Sequence, residues 1–363
     1  MPETFLILFT IIYVLQVGVF IYVLRNPRDR KTLSGSPTVT VVIAARNEEH
    51  NLSECLQSVM SQTYPADRYD VIVANDNSTD GTERICDTFA HKHRNFQSFV
   101  TTHESALPGK PNALAQAIDR AHGEVILITD ADCVVPPTWI ESTAKRHSQE
   151  IGIVGGITLQ KADSAFSGMQ SLDWAYILGV AASTAAMGLP LGGIGNNLSF
   201  RKEAYDRVGG YRKLKFSVTE DYTLVQAIIG LKKYEYLYPI DEKMLVQSHP
   251  CPDFRTLIQQ KHRWGKGGLD MKPLGFLIMA IGFGLHAALL IHLLWFNMPG
   301  TTAVFLVKFV ADYFFLHRVL SDVNKTDELR YFYWFELYYF LYVLALPFLV
   351  FFGGKIFWKG RHY

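Results

Sequence analysis

Two aspartates separated by one residue, Asp130 and Asp132, follow the predicted strand at 124–129. Carboxylates this close repel each other unless a cation lies between them. Mg²⁺ and Mn²⁺ prefer hard oxygen ligands and accept phosphate oxygens in their remaining coordination positions. The pair therefore predicts a metal site, with Mg²⁺ or Mn²⁺ as the cofactor, that neutralises charge on a departing diphosphate. An isolated pair of this kind is more often a solvated turn, so the interpretation depends on its neighbours.

Three further polar loops precede this pair, at 46–49, at 75–81 and at 109–112. In the last of them Lys110 follows a glycine and comes directly before a predicted helix, where backbone N–H groups favour phosphate. A lone lysine is more often a surface residue. The chain contains neither GxGxxG nor GxxxxGK[ST], which excludes a dinucleotide fingerprint and a P-loop.

Two later segments offer a base and an anion-binding group. Asp221 lies at the start of a helical stretch, where it could act as a general base towards an attacking hydroxyl. The alternative is a purely structural role, in which residues 219–221 cap the N-terminus of that helix. In the basic segment 260–264, Arg263 could bind diphosphate and Trp264 could stack on a sugar. The alternative is an anchor at the membrane interface, where both residue types are common.

The elements that must position these residues alternate regularly along the chain. The spacing of apolar residues predicts strands, helices in between, and a parallel sheet with helices on both faces. Ligands bind such a sheet at the carboxyl ends of its strands, which is where the four polar loops fall. The predicted strands are 38–45, 69–75, 95–101 and 124–129, and the predicted helices are 52–60, 82–90 and 111–121.

Apolar stretches at both ends of the chain predict a membrane protein. Residues 4–24 carry no charge and are long enough to cross a bilayer, and the absence of a basic start and of a cleavage site favours an anchor over a signal peptide. Residues 274–296 and 334–352 predict two further spans. The stretch at 301–320 carries three charges, so it is the weakest span, and a helix lying on the membrane is the alternative.

Basic residues indicate the orientation of these spans. Arg25, Arg28, Arg30 and Lys31 follow the first span, which predicts that the next domain is cytoplasmic. Four spans would put the tail with Lys355, Lys359 and Arg361 outside, against the positive-inside rule. The number of spans therefore stays open between three and four.

Two features of the apolar segments concern packing. Lys308 and Asp312 lie four residues apart on one helical face, where they could pair inside the bundle. Residues 165–191 are apolar and rich in small residues, which predicts either an amphipathic helix against the membrane or a buried core helix.

Charge and cysteine content exclude other classes of protein. The formal net charge of +1 argues against nucleic-acid binding. The cysteines at 55, 86, 133 and 251 form no CxxC pair, which argues against a zinc knuckle or a dithiol redox centre and fits a reducing compartment.

Taken in order, the motifs resemble the family 2 glycosyltransferases of the GT-A fold, in the branch of the polysaccharide synthases and the ceramide glucosyltransferase-like enzymes. The matching features are the aspartate loop at Asp76, the DxD at 130–132, the TED at 219–221 and the QxxRW at 260–264. The sequence departs from the usual pattern with Arg46 in the first loop and AsnAspAsnSer in the second, which makes base selectivity less certain.

The resemblance implies a role for each matching residue. It places Glu48 and Asp76 at the nucleoside of a nucleotide-sugar, expected to be a UDP-hexose. Lys110 lies near the diphosphate, Asp130 at the donor and Asp132 on the metal. Asp221 becomes the catalytic base of a single displacement that inverts the anomeric centre. Three residues bind the diphosphate and the acceptor end, namely Gln260, Arg263 and Trp264.

The resemblance also implies a domain layout and an acceptor. We expect a membrane anchor at 1–31, a cytoplasmic GT-A domain with interfacial helices at 32–272, and two to three spans at 273–363, in a bacterial inner membrane. So few spans favour transfer to a hydroxyl of a membrane lipid. A processive polysaccharide synthase extending a growing glycan is the alternative. A nucleotidyltransferase and a non-catalytic scaffold are two further readings, and no oligomeric state is indicated.

Overall fold

The computed structural model describes residues 2–26, 35–104, 107–295, 299–354, 357–358 and 361–362. The chain divides into two compact units. The sheet unit comprises Arg28–Leu159 and Gly188–His249. The helical unit comprises Met1–Pro27, Gln160–Met187 and Pro250–Tyr363.

The sheet unit contains a seven-stranded sheet and a smaller, three-stranded sheet. Their strands are β1 (Val39–Ala45), β2 (Tyr69–Asn75), β3 (Phe96–Val100), β4 (Val125–Asp130), β5 (Cys133–Val134), β6 (Ile151–Gly155), β7 (Thr158–Gln160), β8 (Leu198–Arg201), β9 (Glu235–Leu237) and β10 (Val246–Ser248). The larger sheet has the order β3-β2-β1-β4-β8-β6-β9, and the smaller sheet has the order β5-β10-β7.

The first four strands pair in parallel, and their register brings the polar loops together. Ala45 of β1 pairs with Asn75 of β2, and Ala44 of β1 pairs with Asp130 of β4. Three strands therefore end at one edge of the sheet, so the loops that follow them open at that edge. The sheet prediction is confirmed for these strands.

Helices cover this sheet because they present apolar residues at helical spacing. Leu52, Cys55, Leu56 and Val59 of the first such helix are fully buried in the core. The predicted helices are confirmed, with ends within about two residues, the usual uncertainty of helix boundaries. The helices of the sheet unit are α2 (Leu52–Met60), α3 (Thr82–Lys92), α4 (Lys110–Arg120), α5 (Trp139–Ala144), α7 (Lys202–Arg207) and α8 (Glu220–Gly230).

The second half of the sheet departs from strict parallel pairing. Strand β8 pairs antiparallel with both β4 and β6, whereas β9 pairs in parallel with β6. The result is a mostly parallel α/β sheet typical of the GT-A fold. This half was not predicted, because its strands are three to five residues long and carry no alternation that sequence could reveal.

The helical unit consists mainly of long apolar helices, together with one basic helix at Phe254–Gly268. Three segments are long and apolar enough to cross a membrane, Glu3–Arg25, Pro273–Trp295 and Thr326–Phe352. They confirm the prediction of long apolar helices near both ends of the chain. The helices of this unit are α1 (Pro2–Arg25), α6 (Ala165–Ala186), α9 (Phe254–Gly268), α10 (Pro273–Trp295), α11 (Pro299–Ser321) and α12 (Phe332–Phe352).

Short elements complete the described chain. Three 3-10 helices span Gly195–Asn197, Glu242–Met244 and Thr326–Tyr331, and the strands β11 (Phe357–Trp358) and β12 (Arg361–His362) pair antiparallel. Among the basic residues used to predict orientation, those at 28, 30, 31, 355 and 359 lie outside the described residues.

The helical unit also decides between the two interpretations of residues 165–191. Helix α6 is a buried core helix, since most of its side chains on every face are buried, including Asp173 and Tyr176. The predicted pairing within α11 is present as well, because Lys308 Nζ lies 2.8 Å from the Asp312 carboxylate.

Candidate active site

The loops that follow β1 and β2 are locked to each other by hydrogen bonds. Arg46 Nη1 donates to the Asp76 carbonyl oxygen at 2.7 Å. The Asn47 N–H donates to Ser78 Oγ at 3.0 Å, and Asn47 Oδ1 accepts from the Thr79 N–H at 2.9 Å. Asn47 takes a φ of 53°, a left-handed conformation that asparagine tolerates better than most residues. The two loops therefore form one rigid wall at the sheet edge.

This wall fixes two of the predicted site residues, Glu48 and Asp76. Both are buried, with exposed fractions of 7% and 6%. The Glu48 N–H donates to Thr82 Oγ1 at 2.8 Å, and the Glu48 carboxylate accepts from Asn51 Nδ2 at 3.0 Å. The Asp76 N–H donates to the Ala45 carbonyl at 2.8 Å. Arg46 joins the two loops through its hydrogen bond to the Asp76 carbonyl. The sequence showed only that Arg46 departs from the usual family pattern and did not predict this role.

Lys110 places a positive charge at the end of β4. It begins α4 after Gly109, whose φ of 73° is a conformation that glycine adopts without steric cost. Its Nζ lies 2.5 Å from the Asp130 carboxylate and 3.4 Å from Glu220. Burial alone would lower the pKa of this ammonium, but the carboxylates of Asp130 and Glu220 more than offset it and raise the pKa above its ordinary value. Lys110 is therefore charged throughout the physiological pH range.

Asp221 lies beside the same lysine. A Cβ placed on Gly195 would be 3.5 Å from Lys110 Nζ and 3.5 Å from a carboxylate oxygen of Asp221. The side chains of Lys110 and Asp221 thus both lie next to the Cα of Gly195. The Asp221 carboxylate also accepts from the Tyr222 N–H at 2.7 Å, as expected for an acidic residue in the first turn of α8. Helix α4, strand β4 and helix α8 converge here.

The side chain of Asn197 anchors the loop that contains Gly195. Asn197 Oδ1 accepts from Trp139 Nε1 at 2.9 Å, and Asn197 Nδ2 donates to the carbonyls of Ile157 at 2.8 Å and Met244 at 2.9 Å. Both Asn197 and Trp139 are buried. The amide oxygen and the amide nitrogen of Asn197 are thus both hydrogen-bonded in the interior. These bonds hold the neighbouring backbone in place.

The second aspartate of the pair, Asp132, lies beside two thiols. Cys133 Sγ donates to Asp132 Oδ1 at 3.5 Å, and Cys55 Sγ donates to the Asp130 carbonyl at 3.4 Å. Burial, followed by the charges of Asp132 and Asp130, raises the pKa of both thiols. Because Mg²⁺ and Mn²⁺ prefer oxygen ligands to sulfur, the groups that could hold either ion here are the carboxylate oxygens. Across the described ranges, no group of three or more His, Cys, Asp or Glu side chains is arranged to hold a metal ion.

The remaining predicted residues, Gln260, Arg263 and Trp264, lie on α9 in the helical unit. Between them, Lys261 forms a buried ion pair with Asp173 of α6. The Trp264 ring lies 5.3 Å from the Trp174 ring, again between α9 and α6. The position of this motif is therefore set by α6. The sequence prediction missed Lys261 and Asp173, since nothing in their local pattern indicates a partner 88 residues away.

The site in the sheet unit thus joins Lys110, Asp130 and Asp221 at one point, with Glu48 and Asp76 on the adjoining wall. The prediction missed Glu220 as a partner of Lys110 and did not single out the loop at 192–197. The glycines in that loop, Gly192, Gly193 and Gly195, are the signal that could have found it, because clustered glycines often mark a close backbone approach.

Comparisons with known proteins agree with this architecture. The sequence profile described as glycosyl transferase family 21 matches residues 4–363. A β-monoglucosyldiacylglycerol synthase of Nostoc sp. is 27% identical over 68% of this chain and 52% of its own length. A poly-β-1,6-N-acetyl-D-glucosamine synthase of Staphylococcus epidermidis is 24% identical over 69% of this chain and 61% of its own length. The matched region thus spans about half to three-fifths of these two relatives.

One solved structure shares the fold over nearly the whole chain. It is the mannosyltransferase of Pyrobaculum calidifontis in complex with GDP-Man and Mn²⁺, with a TM-score of 0.62 and 19% sequence identity. It covers 93% of this chain and 99% of its own. The prediction of a glycosyltransferase with the GT-A fold is confirmed, although the matching profile is numbered 21 where the motifs predicted family 2. With the profile covering all but the first three residues, the chain belongs to glycosyl transferase family 21 and is a glycosyltransferase.

Proposed function

We propose that this protein transfers a sugar from a nucleotide-sugar to a hydroxyl group of a membrane lipid, with inversion at the anomeric carbon. The observation that carries the proposal is the position of Lys110. Its ammonium lies 2.5 Å from Asp130 and 3.4 Å from Glu220, and it shares the face of Gly195 with Asp221. A cation for phosphate, the first carboxylate of the proposed metal pair and a candidate base thereby lie close together.

The donor end of the site is assigned to the wall formed by the first two loops. Glu48 and Asp76 are held nearly buried at the sheet edge, so we assign them to the base and ribose of the nucleotide. Lys110 contributes the charge that attracts the diphosphate at the start of α4, where the helix N-terminus adds to it. We propose a UDP-hexose as the donor, and the rigid contact between Arg46 and Asp76 makes this wall the place where base selectivity is set.

The carboxylates at the end of β4 fit a divalent metal. Asp130 and Asp132 offer hard oxygen donors, which Mg²⁺ and Mn²⁺ prefer to the sulfur of the neighbouring cysteines. Two protein carboxylates suit Mg²⁺ or Mn²⁺, which complete their coordination with phosphate oxygens and water. When bound, such an ion supplies neutralisation of the charge on the departing diphosphate.

Asp221 is assigned the role of general base. In a single displacement, the acceptor oxygen forms the new bond to the anomeric carbon while the bond from that carbon to the diphosphate oxygen breaks. The proton of the acceptor hydroxyl passes to the Asp221 carboxylate. Lys110, beside Asp221, keeps positive charge next to the diphosphate as it leaves.

The acceptor is proposed to be a lipid because the helical unit provides apolar segments of membrane-spanning length and because a relative is named as a glucosyldiacylglycerol synthase. Gln260, Arg263 and Trp264 are assigned to the diphosphate and the acceptor end. We place the sheet unit on the cytoplasmic side of a bacterial inner membrane, since Arg25 follows the first span.

A transfer assay tests the proposal. Purified protein in detergent receives Mn²⁺ or Mg²⁺, a total lipid extract and one radiolabelled donor at a time: UDP-glucose, UDP-galactose, UDP-N-acetylglucosamine or GDP-mannose. We expect label from one UDP-sugar to enter the organic phase. Label that accumulates only in a large aqueous polymer would instead support a processive synthase, the activity for which the Staphylococcus relative is named. Absence of both transfer and donor hydrolysis with every donor would overturn the proposal.

A further inference from the structure

Helix α11 has its charged residues inside and its apolar residues outside. Lys308 and Asp312 have no exposed surface. Leu306, Val310 and Phe314, by contrast, are 56%, 49% and 57% exposed. A helix in contact with water shows the reverse arrangement. The exposed face of α11 is therefore suited to lipid acyl chains.

The buried charges of α11 are neutralised within the helical unit. Lys308 Nζ lies 2.8 Å from Asp312 and 2.6 Å from Glu336 of α12. Tyr13 of α1 donates its hydroxyl to the other oxygen of Asp312 at 2.6 Å. Charged side chains in a membrane segment are tolerated when they face the interior of a bundle and pair there. These charges make α11 less apolar on average than α1, α10 and α12.

Contacts with α1 fix the direction and depth of α11. Asp312 contacts Tyr13, Phe315 lies 5.9 Å from Phe20, and Arg318 Nη2 donates to the Leu24 carbonyl at 2.8 Å. These contacts follow the same order along both helices, so the two helices run in the same direction. The middle of α11 lies beside the middle of α1, a helix of membrane-spanning length. With 23 residues, α11 is about 35 Å long, enough to cross the hydrocarbon core.

The charges that flank α11 agree with this direction. The sequence from 296 to 307, which extends into the first half of the helix, contains no charged residue. Lys325 and Arg330 follow the helix, as Arg25 ends α1. Basic residues mark the cytoplasmic flank of a span, so both helices have their cytoplasmic flank at the carboxyl end.

We propose that α11 crosses the membrane as a fourth span, with its face at Leu306, Val310 and Phe314 in contact with lipid acyl chains. The inference is independent of the sugar chemistry. It puts the connection between α11 and α12 on the side of the membrane where α1 ends. It also puts the end of α12 on the same side as the start of α1, despite the basic residues in the tail.

Cysteine labelling tests this topology. Thr326→Cys lies after α11, Glu83→Cys reports the side of the sheet unit, and Glu3→Cys reports the start of α1; all three positions are exposed. An impermeant maleimide is applied to right-side-out and to inverted vesicles that contain the full chain, with wild-type protein measuring the background of the four buried cysteines. We expect Thr326→Cys to label only in the vesicle orientation that labels Glu83→Cys. Labelling in the orientation of Glu3→Cys would overturn the proposal.

A second variant probes the face proposed to contact lipid. Val310→Lys places a charge on the exposed side of α11, and Glu83→Lys on the sheet unit is the matched control. We expect Val310→Lys, combined with Thr326→Cys, to shift part of the labelling to the vesicle orientation that labels Glu3→Cys, because a lysine at this depth opposes insertion of α11. Glu83→Lys should leave the labelling of Thr326→Cys unchanged. Labelling of the Val310→Lys protein that matches the control would show that this face does not contact lipid, and would overturn the proposal.

Discussion

The Lys110 ammonium lies 2.5 Å from the Asp130 carboxylate, although the two residues come from different elements, the start of α4 and the end of β4. Glu220 approaches the same ammonium to 3.4 Å from a third element. One lysine thus balances two carboxylates at the point where a diphosphate is proposed to bind. Removing it would leave negative charges facing an anionic ligand.

We therefore expect Lys110→Met to weaken donor binding about 10- to 100-fold, since hydrogen bonds to charged groups contribute about 1.5–3 kcal/mol. Isothermal titration calorimetry with the nucleotide-sugar measures the loss. Lys110→Arg keeps the charge and should recover part of it. Unchanged affinity in Lys110→Met would remove this residue from the donor site.

Asp221→Asn tests the assignment of the base. The amide cannot accept a proton, so turnover should fall at least ~100-fold, the usual contribution of a general base. Donor affinity should stay within about two-fold of wild type, because the proposed role does not begin until the acceptor hydroxyl reacts. The exposed Asp67→Asn is a matched control, expected to keep the wild-type rate. Full turnover in Asp221→Asn would show that another group removes the proton.

Asp132→Asn tests the metal assignment. We expect the Mn²⁺ concentration for half-maximal activity to rise at least ten-fold, because one of two proposed carboxylate ligands loses its charge. A titration of activity against Mn²⁺ measures this shift, and saturating metal should recover part of the rate. A curve that overlays wild type would contradict the role of Asp132 as a ligand.

The sequence predicted the first half of the sheet and the residues around Asp130 because both depend on local spacing. Apolar periodicity places β1 to β4, and the ends of parallel strands must meet at one edge. The pairing of Lys308 with Asp312 was likewise predictable, since residues four apart share a helix face. Glu220 beside Lys110 and Glu336 beside Lys308 were not predictable, because those contacts join distant segments of chain and leave no local pattern.

The ion pair between Lys261 and Asp173 also joins distant segments of the chain. We expect it to affect the stability of the folded protein. Both side chains are buried, with exposed fractions of 2% and 0%. Lys261→Met should lower the free energy of unfolding by about 3–5 kcal/mol, because Asp173 is left as an uncompensated buried charge. The double variant Lys261→Met with Asp173→Leu should regain most of the loss, as measured by thermal unfolding in detergent. A double variant no more stable than Lys261→Met would show that the pair contributes more than mutual neutralisation.

His147 provides a test of pH dependence in the sheet unit. The ring is fully buried, with Nε2 2.9 Å from Ser199 Oγ, and burial lowers the pKa of His147 from 6.5 to about 3. In the unfolded chain this histidine binds a proton below pH 6.5, whereas in the folded protein it stays neutral until about pH 3. Keeping His147 neutral therefore costs no stability above pH 6.5. The free energy of unfolding decreases as the pH falls from 6.5 towards about 3.

Between pH 6.5 and about pH 3, the contribution of His147 to the free energy of unfolding should fall by about 1.4 kcal/mol for each pH unit. Denaturant unfolding followed by tryptophan fluorescence from pH 7 to pH 4 measures it, and a His147→Gln variant should show a shallower dependence because glutamine does not titrate. Identical slopes in wild type and His147→Gln would mean that carboxylates alone account for the acid sensitivity of the fold.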